Sequence, residues 1–410
     1  MSSITPSVHT GDDAPLAGYF VVDFTRVLSG PYCTRLLSDL GATVIKIERP
    51  GEGDEVRYVL PQLNPERSDQ SAYFARLNAG KRSIAINFAN PASREVVLEL
   101  VRKADVVVEN FSPGVMAKYG FDEPSLRKVK PDLVYCSISG FGQTGPLKGL
   151  QAYAHLINAF SGMMELDRGG DTAPRASNLQ AADVLAGGQA FGAICAALLR
   201  RARNGKGAHV DVSMLECLVA ADDINFPALL NGEPAARRPR SGMLVRPVGE
   251  RHVAVQVGGV PAMWTNLTTL MNRPDLAKDE RFATPGARRQ NWPVLAEILG
   301  EWLNTFASVD EAIKALNGAR VPSVPMLTPE EIVDHPHMAE RGAFPSVNHP
   351  VSGTARVTAT PFQLDGQPIT PTGPVPYAIG ENSREVLTEL GFSEEKVQAL
   401  ISEGVVTAAD

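Results

Sequence analysis

One carboxylate is set apart by its surroundings. Asp183 lies in the stretch from Pro174 to Gly205, PRASNLQAADVLAGGQAFGAICAALLRRARNG. A turn-forming segment, Pro174 to Asn178, precedes it, and a run rich in Ala, Gly and Leu follows. Arg200, Arg201 and Arg203 close the run, with Gly205 just beyond. Basic residues in a last turn and a Gly past it are the marks of a helix C-terminus. The pattern predicts a buried apolar helix with Asp183 at or next to its start. Two chemistries fit that position. The carboxylate can be an N-cap that accepts hydrogen bonds from the first free backbone N–H groups. It can also be a nucleophile, presented where wet and dry surroundings meet. The local pattern does not choose between them.

A second set of candidates sits where strands end. After YFVVDF (19–24) come Arg26, Val27, Leu28 and Ser29, then Gly30-Pro31. After TVIKIE, which ends at Glu48, come Arg49-Pro50-Gly51 and Gly53-Asp54. Asn110-Phe111 and Pro113-Gly114 follow DVVVE, and Lys81-Arg82 precedes another short apolar strand. Any one of these cations reads as a solvated surface charge. Several of them at strand exits of one domain are better explained by a polyanionic ligand.

The elements that must position these residues alternate. YFVVDF, TVIKIE, DVVVENF and LVYCSISGFG read as strands, and PYCTRLLSDLGA and VVLELVRKA as helices between them. Apolar strands alternating with helices imply parallel βαβ units whose sheet is covered on both faces. The fold class is α/β, with a large doubly wound open-sheet domain. Ligands bind such sheets outside the carboxyl ends of the strands, where the candidates lie. The first turn reads TRVLSGPY and lacks GxGxxG, which argues against a standard dinucleotide domain.

A smaller α+β domain follows. RHVAVQVGG reads as a strand, and PAMWTNLTTLMN and WPVLAEILGEWLNTF as helices anchored by Trp264, Trp292 and Trp302. The expected organisation is a large domain over 1–215, a linker over 216–239 and a small domain over 240–325. A last segment, 326–410, would return to the large domain. GEPAARRPRSG (232–242) reads as part of the linker or as a mobile loop. The chain ends in a helix pair, the second capped by Ser393 with Glu394 and Glu395 in its first turn.

Composition narrows the class. The 410 residues suit two or three domains. A hydrophobic share of 44% with 21% charged residues is that of a soluble globular protein. A net charge of −7 argues against nucleic acid or a membrane surface as partner. Cys33, Cys136, Cys195 and Cys217 form no metal-type spacing and read as reduced residues of a cytoplasmic protein. The N-terminus lacks the apolar stretch of a signal peptide, and no apolar run reaches bilayer-spanning length. His335 and His337 flank Pro336 in a loop and read as loop residues, so no metal site is expected.

Taken together, several segments resemble the family III CoA-transferases, the superfamily of formyl-CoA transferases, carnitine-related CoA-transferases and α-methylacyl-CoA racemases. They are VVDFTRVLSGPYCTRLLSDLGATVIKIERPGEGDEVR, LNAGKRSIAIN, ADVVVENFSPGVMAKYGF, SISGFGQTGP, ADVLAGGQAFGAICAALLRRARNGKGAHVDVSM and IGENSREVLTELG. The resemblance runs from Val21 to Val406. It implies an interlocked homodimer, a large domain completed by C-terminal residues, and CoA esters as substrates with no tightly bound cofactor. It further implies that Asp183 attacks an acyl-CoA thioester to give a mixed anhydride, from which an aspartyl-CoA thioester forms before CoA passes to an acceptor acid. Val27 and Ser29 would line the pantetheine path. Arg49 would lie near the adenine, and Lys81, Asn110, Phe111 and Lys118 near the nucleotide. Lys118 stands where formyl-CoA transferases have an Arg.

Two departures bear on substrate. Leu28 replaces a Gln of formyl-CoA transferases, and RRPRSGMLV, with only Gly242, replaces their glycine run. Both argue against formyl-CoA and oxalate. Arg237, Arg238, Arg240 and Arg246 fit either a basic surface loop or a pocket for the second carboxylate of a dicarboxylic substrate, such as succinyl-CoA. Two alternatives remain. A racemase needs a His where this chain has Tyr153, a poor base near neutral pH. His155, two residues later, is turned about 200° away on a helix. A non-catalytic CoA-binding subunit is the other alternative, against which the presence of Asp183 counts.

Overall fold

The computed structural model describes residues 13–167, 173–176, 178–234, 242–257 and 260–409. The chain divides into two compact units. One comprises Met1–Met164, Arg175–Pro227 and Pro336–Asp410, the other Glu165–Pro174 and Ala228–His335. Within the expected linker 216–239, the chain instead continues a helix, Met214–Ala221, and forms another, Asn225–Leu230. Arg237, Arg238 and Arg240 lie outside the described residues.

The first unit is built on a seven-stranded sheet. Its six parallel strands are β1 (Phe20–Asp23), β2 (Thr43–Glu48), β3 (Arg82–Ile86), β4 (Val106–Glu109), β5 (Val134–Ser139) and β6 (Ala208–Ser213). Their spatial order is 3-2-1-4-5-6. The C-terminal strand Val406–Thr407 adds antiparallel to β3. Side chains alternate between two cores. Val21, Val44, Val106 and Val108 face one, with Leu37 of helix α1 (Ser29–Asp39) and Ala182, Ala186, Ala190 and Ile194 of the long helix Ala181–Asn204. Val22, Ile45, Ile47 and Val107 face the other, with Val97 and Leu100 of the helix Ser93–Lys103 and Leu387 and Leu400 of the C-terminal helix pair. A slip of one residue would exchange the faces of every side chain in a strand, and each fully buried Val or Ile is worth about 1.5–3 kcal/mol, so the register is strongly specified. The order reverses between β1 and β4, and the exits of these two strands frame the crevice where such sheets bind ligands.

The long helix departs from one expectation. By length and composition it is apolar enough to cross a membrane. One face of it is buried: Ala182, Ala186, Ala190 and Ile194 have no exposed surface and belong to the core beneath the sheet, whereas Leu199 is well exposed. The small residues of that face permit close packing.

The second unit has an antiparallel three-stranded sheet of Met243–Val248, Arg251–Gln256 and Ser323–Pro325. Trp264 is buried in its core, and Trp292 and Trp302 pack against that core from partly buried positions. Arg246 donates to Glu297 at 2.8 Å within this unit. The pair is exposed, so it holds Arg246 only weakly.

Candidate active site

The turn from β1 into α1 is held in an uncommon conformation. Val27 has φ of 68°, the left-handed region that a β-branched residue rarely enters. The turn is clamped from two sides. From the β4 exit, the Asn110 side chain accepts from the Arg26 N–H (2.9 Å) and donates to the Arg26 carbonyl (2.8 Å) and the Ser29 hydroxyl (3.3 Å). From the β2 side, the Asp54 carboxylate accepts from the Val27 N–H at 3.0 Å. Asp54 itself is paired with Lys46 at 2.9 Å, and Lys46 also donates to the Thr25 carbonyl at 2.8 Å. Strain persists only where surroundings over-determine it, and buried, mutually satisfied groups supply that here.

The long helix brings Asp183 to this turn. Gly187 packs against α1 so closely that a Cβ there would lie 2.5 Å from the Ser29 carbonyl oxygen. Asp183 is one turn earlier on the same face. It is not the N-cap: Gln180 holds that position and makes no side-chain cap bond, and Asp183 is the third residue of the helix. Inside the first turn the carboxylate sits at the positive end of the helix dipole. Burial raises its pKa, while the hydroxyl and N–H of Ser29, the N–H of Ala154 and the nearby His155 pull it back down. The ionised carboxylate is thus partly desolvated and met by donors from two other elements, a setting suited to a nucleophile.

Tyr153 does not share this setting through its side chain. It caps the short helix Ala154–Phe160 by backbone alone and is 67% exposed. His155 and Tyr73 are ionisable neighbours of Asp183, and the His155 ring nitrogen lies 3.2 Å from the Gln180 amide. Leu28 is buried at the N-cap of α1.

Outside the ends of β1 to β4 lies a cavity of about 660 Å³. Phe88, Tyr119, Phe111 and Tyr58 line it, Phe88 and Tyr119 with ring centroids 5.4 Å apart. Arg26, Arg49 and the buried Lys46 are its cations, alongside the carboxylates of Glu48, Glu52, Asp54 and Glu55. Arg26 pairs with Glu55 at 2.7 Å and Arg49 with Glu52 at 2.9 Å, both well exposed. Such pairs are worth only about 0–1 kcal/mol, so a polyanion can draw both guanidiniums away. Thr25 and Arg26 line this cavity while Ser29 faces Asp183, so the β1–α1 turn links the two.

Lys81 is placed otherwise than expected. Its ammonium is fully buried and donates to Asp23 (3.1 Å), the Pro31 carbonyl (3.0 Å), Thr34 (2.8 Å) and Asn78 (2.9 Å). Burial pulls its pKa down to about 8. All its donors are spent inside the protein, which leaves none for a phosphate. Arg82 is likewise tied to Glu385 and Glu389. Lys118 is exposed on the helix Val115–Tyr119, beside the cavity residues Met116 and Tyr119. Val27 turns its side chain against the core that includes Val56 and Phe74. Sequence reasoning missed Lys46 and undervalued Asp54. Their only signal was a Lys at an inward strand position and an Asp just after a Gly.

A model of the family described as CoA-transferase family III matches residues 16–383. The chain belongs to the family III CoA-transferases. This family III CoA-transferase is similar to a succinyl-CoA:glutarate CoA-transferase of Mus musculus, 31% identical over 96% of this chain and 90% of the relative. It is 34% identical to a formyl-CoA:oxalate CoA-transferase of Streptomyces avermitilis, over 95% of this chain and 99% of the relative. With an acetyl-CoA:oxalate CoA-transferase of Acetobacter aceti the identity is 35%, over 89% and 92%. Among solved structures, a CAIB/BAIF family protein from Brucella suis superposes with a TM-score of 0.78 at 33% identity, covering 92% of this chain and 99% of that one. The mixed α/β fold with its largely parallel sheet is the fold of that structure.

Proposed function

We propose that this enzyme moves CoA from an acyl-CoA thioester to a carboxylic acid, with Asp183 as the nucleophile and a dicarboxylate as donor or acceptor. The observation that carries the reading is the Asp183 carboxylate in the first turn of the long helix, faced by Ser29 and Ala154 donors. The carboxylate attacks the thioester carbonyl carbon, and the CoA thiolate leaves, giving a mixed anhydride. The thiolate attacks the aspartyl carbonyl and releases the donor acid, leaving an aspartyl-CoA thioester. The acceptor carboxylate repeats the first exchange, and the thiolate then takes the acceptor's acyl group and frees Asp183. An anhydride survives only where water is excluded. The donors around Asp183 would stabilise negative charge developing on oxygen.

The cavity at the ends of β1 to β4 would take the nucleotide of CoA. Arg26, Arg49 and Lys118 would meet its phosphates, and aromatic rings its base. The pantetheine arm would run along the turn of Val27 and Ser29, past Asn110 and Phe111, toward Asp183. The proposed dicarboxylate rests on the acids named for the relatives: glutarate, oxalate and, for a Haloarcula marismortui relative, mesaconate. Each carries two carboxylates. Leu28 in place of a Gln favours a larger acid than oxalate. We further propose an interlocked homodimer, with the site completed between subunits, and Arg240 or its neighbours as partners of the second carboxylate.

Two measurements test the reading. Succinyl-CoA assayed against oxalate, glutarate and mesaconate should reveal transfer, and Asp183→Ala should abolish it. Hydroxylamine or borohydride added with acyl-CoA should trap an adduct on Asp183. Retained transfer in Asp183→Ala would remove the nucleophile from the mechanism. One observation favours a second reading: His155, rather than Tyr153, is an ionisable neighbour of Asp183. A His and an Asp across a substrate α-carbon would racemise it. Deuterium uptake at that carbon without CoA transfer would select this alternative.

A further inference from the structure

Three consecutive residues at the β4 exit do three different things. Asn110 clamps the Arg26 backbone and the Ser29 hydroxyl. Phe111 lines the large cavity. Glu109, the last residue of β4 and only 4% exposed, accepts the Phe111 N–H through its own carboxylate at 2.9 Å. Glu109 therefore closes the turn from which the other two residues project.

Among the described residues lining the small cavity beside Glu109 there is no strong cation, although Arg127 pairs with the lining residue Glu123 at 3.1 Å. Ser137 and Tyr135 face it from β5, His209 and Asp211 from β6, and Asp122 and Glu123 border the same small cavity of about 210 Å³ or its surroundings. The residues lining that cavity include neither Lys nor Arg. The Ser137 hydroxyl lies 3.1 Å from the His209 ring nitrogen, and Asp211 accepts the Gln143 N–H at 3.0 Å. Burial, reinforced by the Asp211 charge, pushes the Glu109 carboxyl up to about 7, against the opposing pull of the Ser137 hydroxyl and the Phe111 N–H. An ionised carboxylate accepts a hydrogen bond roughly twice as strong as a neutral one.

We propose that Glu109 is a positioning residue: its carboxylate holds the Asn110–Phe111 turn, and that turn holds Ser29 against Asp183 and Phe111 in the cavity wall, so that proton uptake by Glu109 loosens CoA binding. The proposal rests on the reading of the large cavity as the CoA site. No reaction step passes through Glu109 itself. Its effect reaches the substrate through the backbone of Phe111 and the side chain of Asn110.

The test is equilibrium binding of free CoA to the full-length protein by calorimetry from pH 6 to pH 9, alongside steady-state transfer. The unmodified protein should bind CoA more weakly as pH falls through the neutral range. Glu109→Gln should weaken binding about three- to tenfold at pH 8 and lose most of that pH dependence. Its KM for acyl-CoA should rise more than its kcat falls. Ser137→Ala, which removes a donor to the carboxylate, should move the midpoint to higher pH. His209→Gln should leave the midpoint in place. A Glu109→Gln profile that parallels the unmodified protein overturns the proposal, as does a midpoint that disappears with His209. If Glu109→Gln does not fold, an unmoved midpoint in Ser137→Ala has the same force. Absence of CoA binding at every pH in the unmodified protein would instead overturn the reading of the cavity.

Discussion

A Cβ on Gly187 would lie 2.5 Å from the carbonyl oxygen of Ser29 and 3.0 Å from the Tyr32 ring. The long helix and the start of α1 therefore touch backbone to side-chain-free backbone, and that approach sets where Asp183 meets the Ser29 donors one turn away.

Gly187→Ala should push the two helices apart. Overpacking of this kind costs about 1–3 kcal/mol, and CoA transfer should fall with it because Asp183 moves from Ser29. Gly188 has nothing within 4 Å of its would-be Cβ. Gly188→Ala should be neutral or stabilise by roughly 0.5–1 kcal/mol. Urea denaturation and transfer assays on the pair check this. Equal stabilities would show that the close approach is not rigid.

With Asp183 as the proposed nucleophile, Asp183→Asn should reduce kcat by on the order of 10³-fold or more, because the neutral amide cannot attack the thioester. The pH profile adds a sign. Burial raises the Asp183 pKa, so the unprotonated carboxylate is lost at a higher pH than for an ordinary aspartate. The acid limb of kcat/KM should lie above the ordinary value of 3.8. A limb at or below 3.8 would contradict the desolvated setting.

Arg49 and Lys81 should separate cleanly. Arg49→Gln should weaken CoA binding a few-fold, in a salt-dependent way, and leave the melting temperature unchanged, since its pair with Glu52 is exposed. Lys81→Met removes the ion-pair partner of buried Asp23 and leaves only the Lys46 charge to compensate it, at a cost of up to about 3–5 kcal/mol. Thermal melts and CoA titrations of both variants read the difference. A normal melting temperature for Lys81→Met would refute the structural role.

Glu109 makes stability depend on pH. Its folded pKa of about 7 exceeds the ordinary 4.5. Between those values the folded chain holds a proton that the unfolded chain has released. This contribution is fully present at acid pH and is lost as pH rises through 7. Glu109→Gln should remove a fall of roughly 2–3 kcal/mol between pH 5 and pH 8. Urea midpoints at the two pH values measure it, and an undiminished fall in the variant would assign the effect to other groups.

Much of the fold was legible locally. TVIKIE is β2 to the residue, because a short, largely apolar and β-branched run between turn residues leaves few other structures. Gly205 ends the long helix in a left-handed conformation, and Ser393 caps the last helix by accepting from the Lys396 N–H, as their residue types predict. The start of the long helix was less legible. Asp is favoured both at an N-cap and inside the first turn, and the pattern could not distinguish Gln180 as the cap. Lys81-Arg82 looked like exposed charge because its partners are distant: Asp23 is 58 positions away and Glu389 is 307.

The sequence by itself determined the periodicities, the helix ends and the order of segments, and with them the α/β class and Asp183 as the residue to watch. These are local properties, set by which side chains recur at which spacing. The tertiary structure alone decided that Asp183 meets Ser29, that His155 rather than Tyr153 lies near it, and that Lys81 and Asp54 serve the scaffold. Each of those outcomes depends on burial and on a charge or donor from a distant segment. Desolvation makes such pairings strong, and no local pattern encodes them.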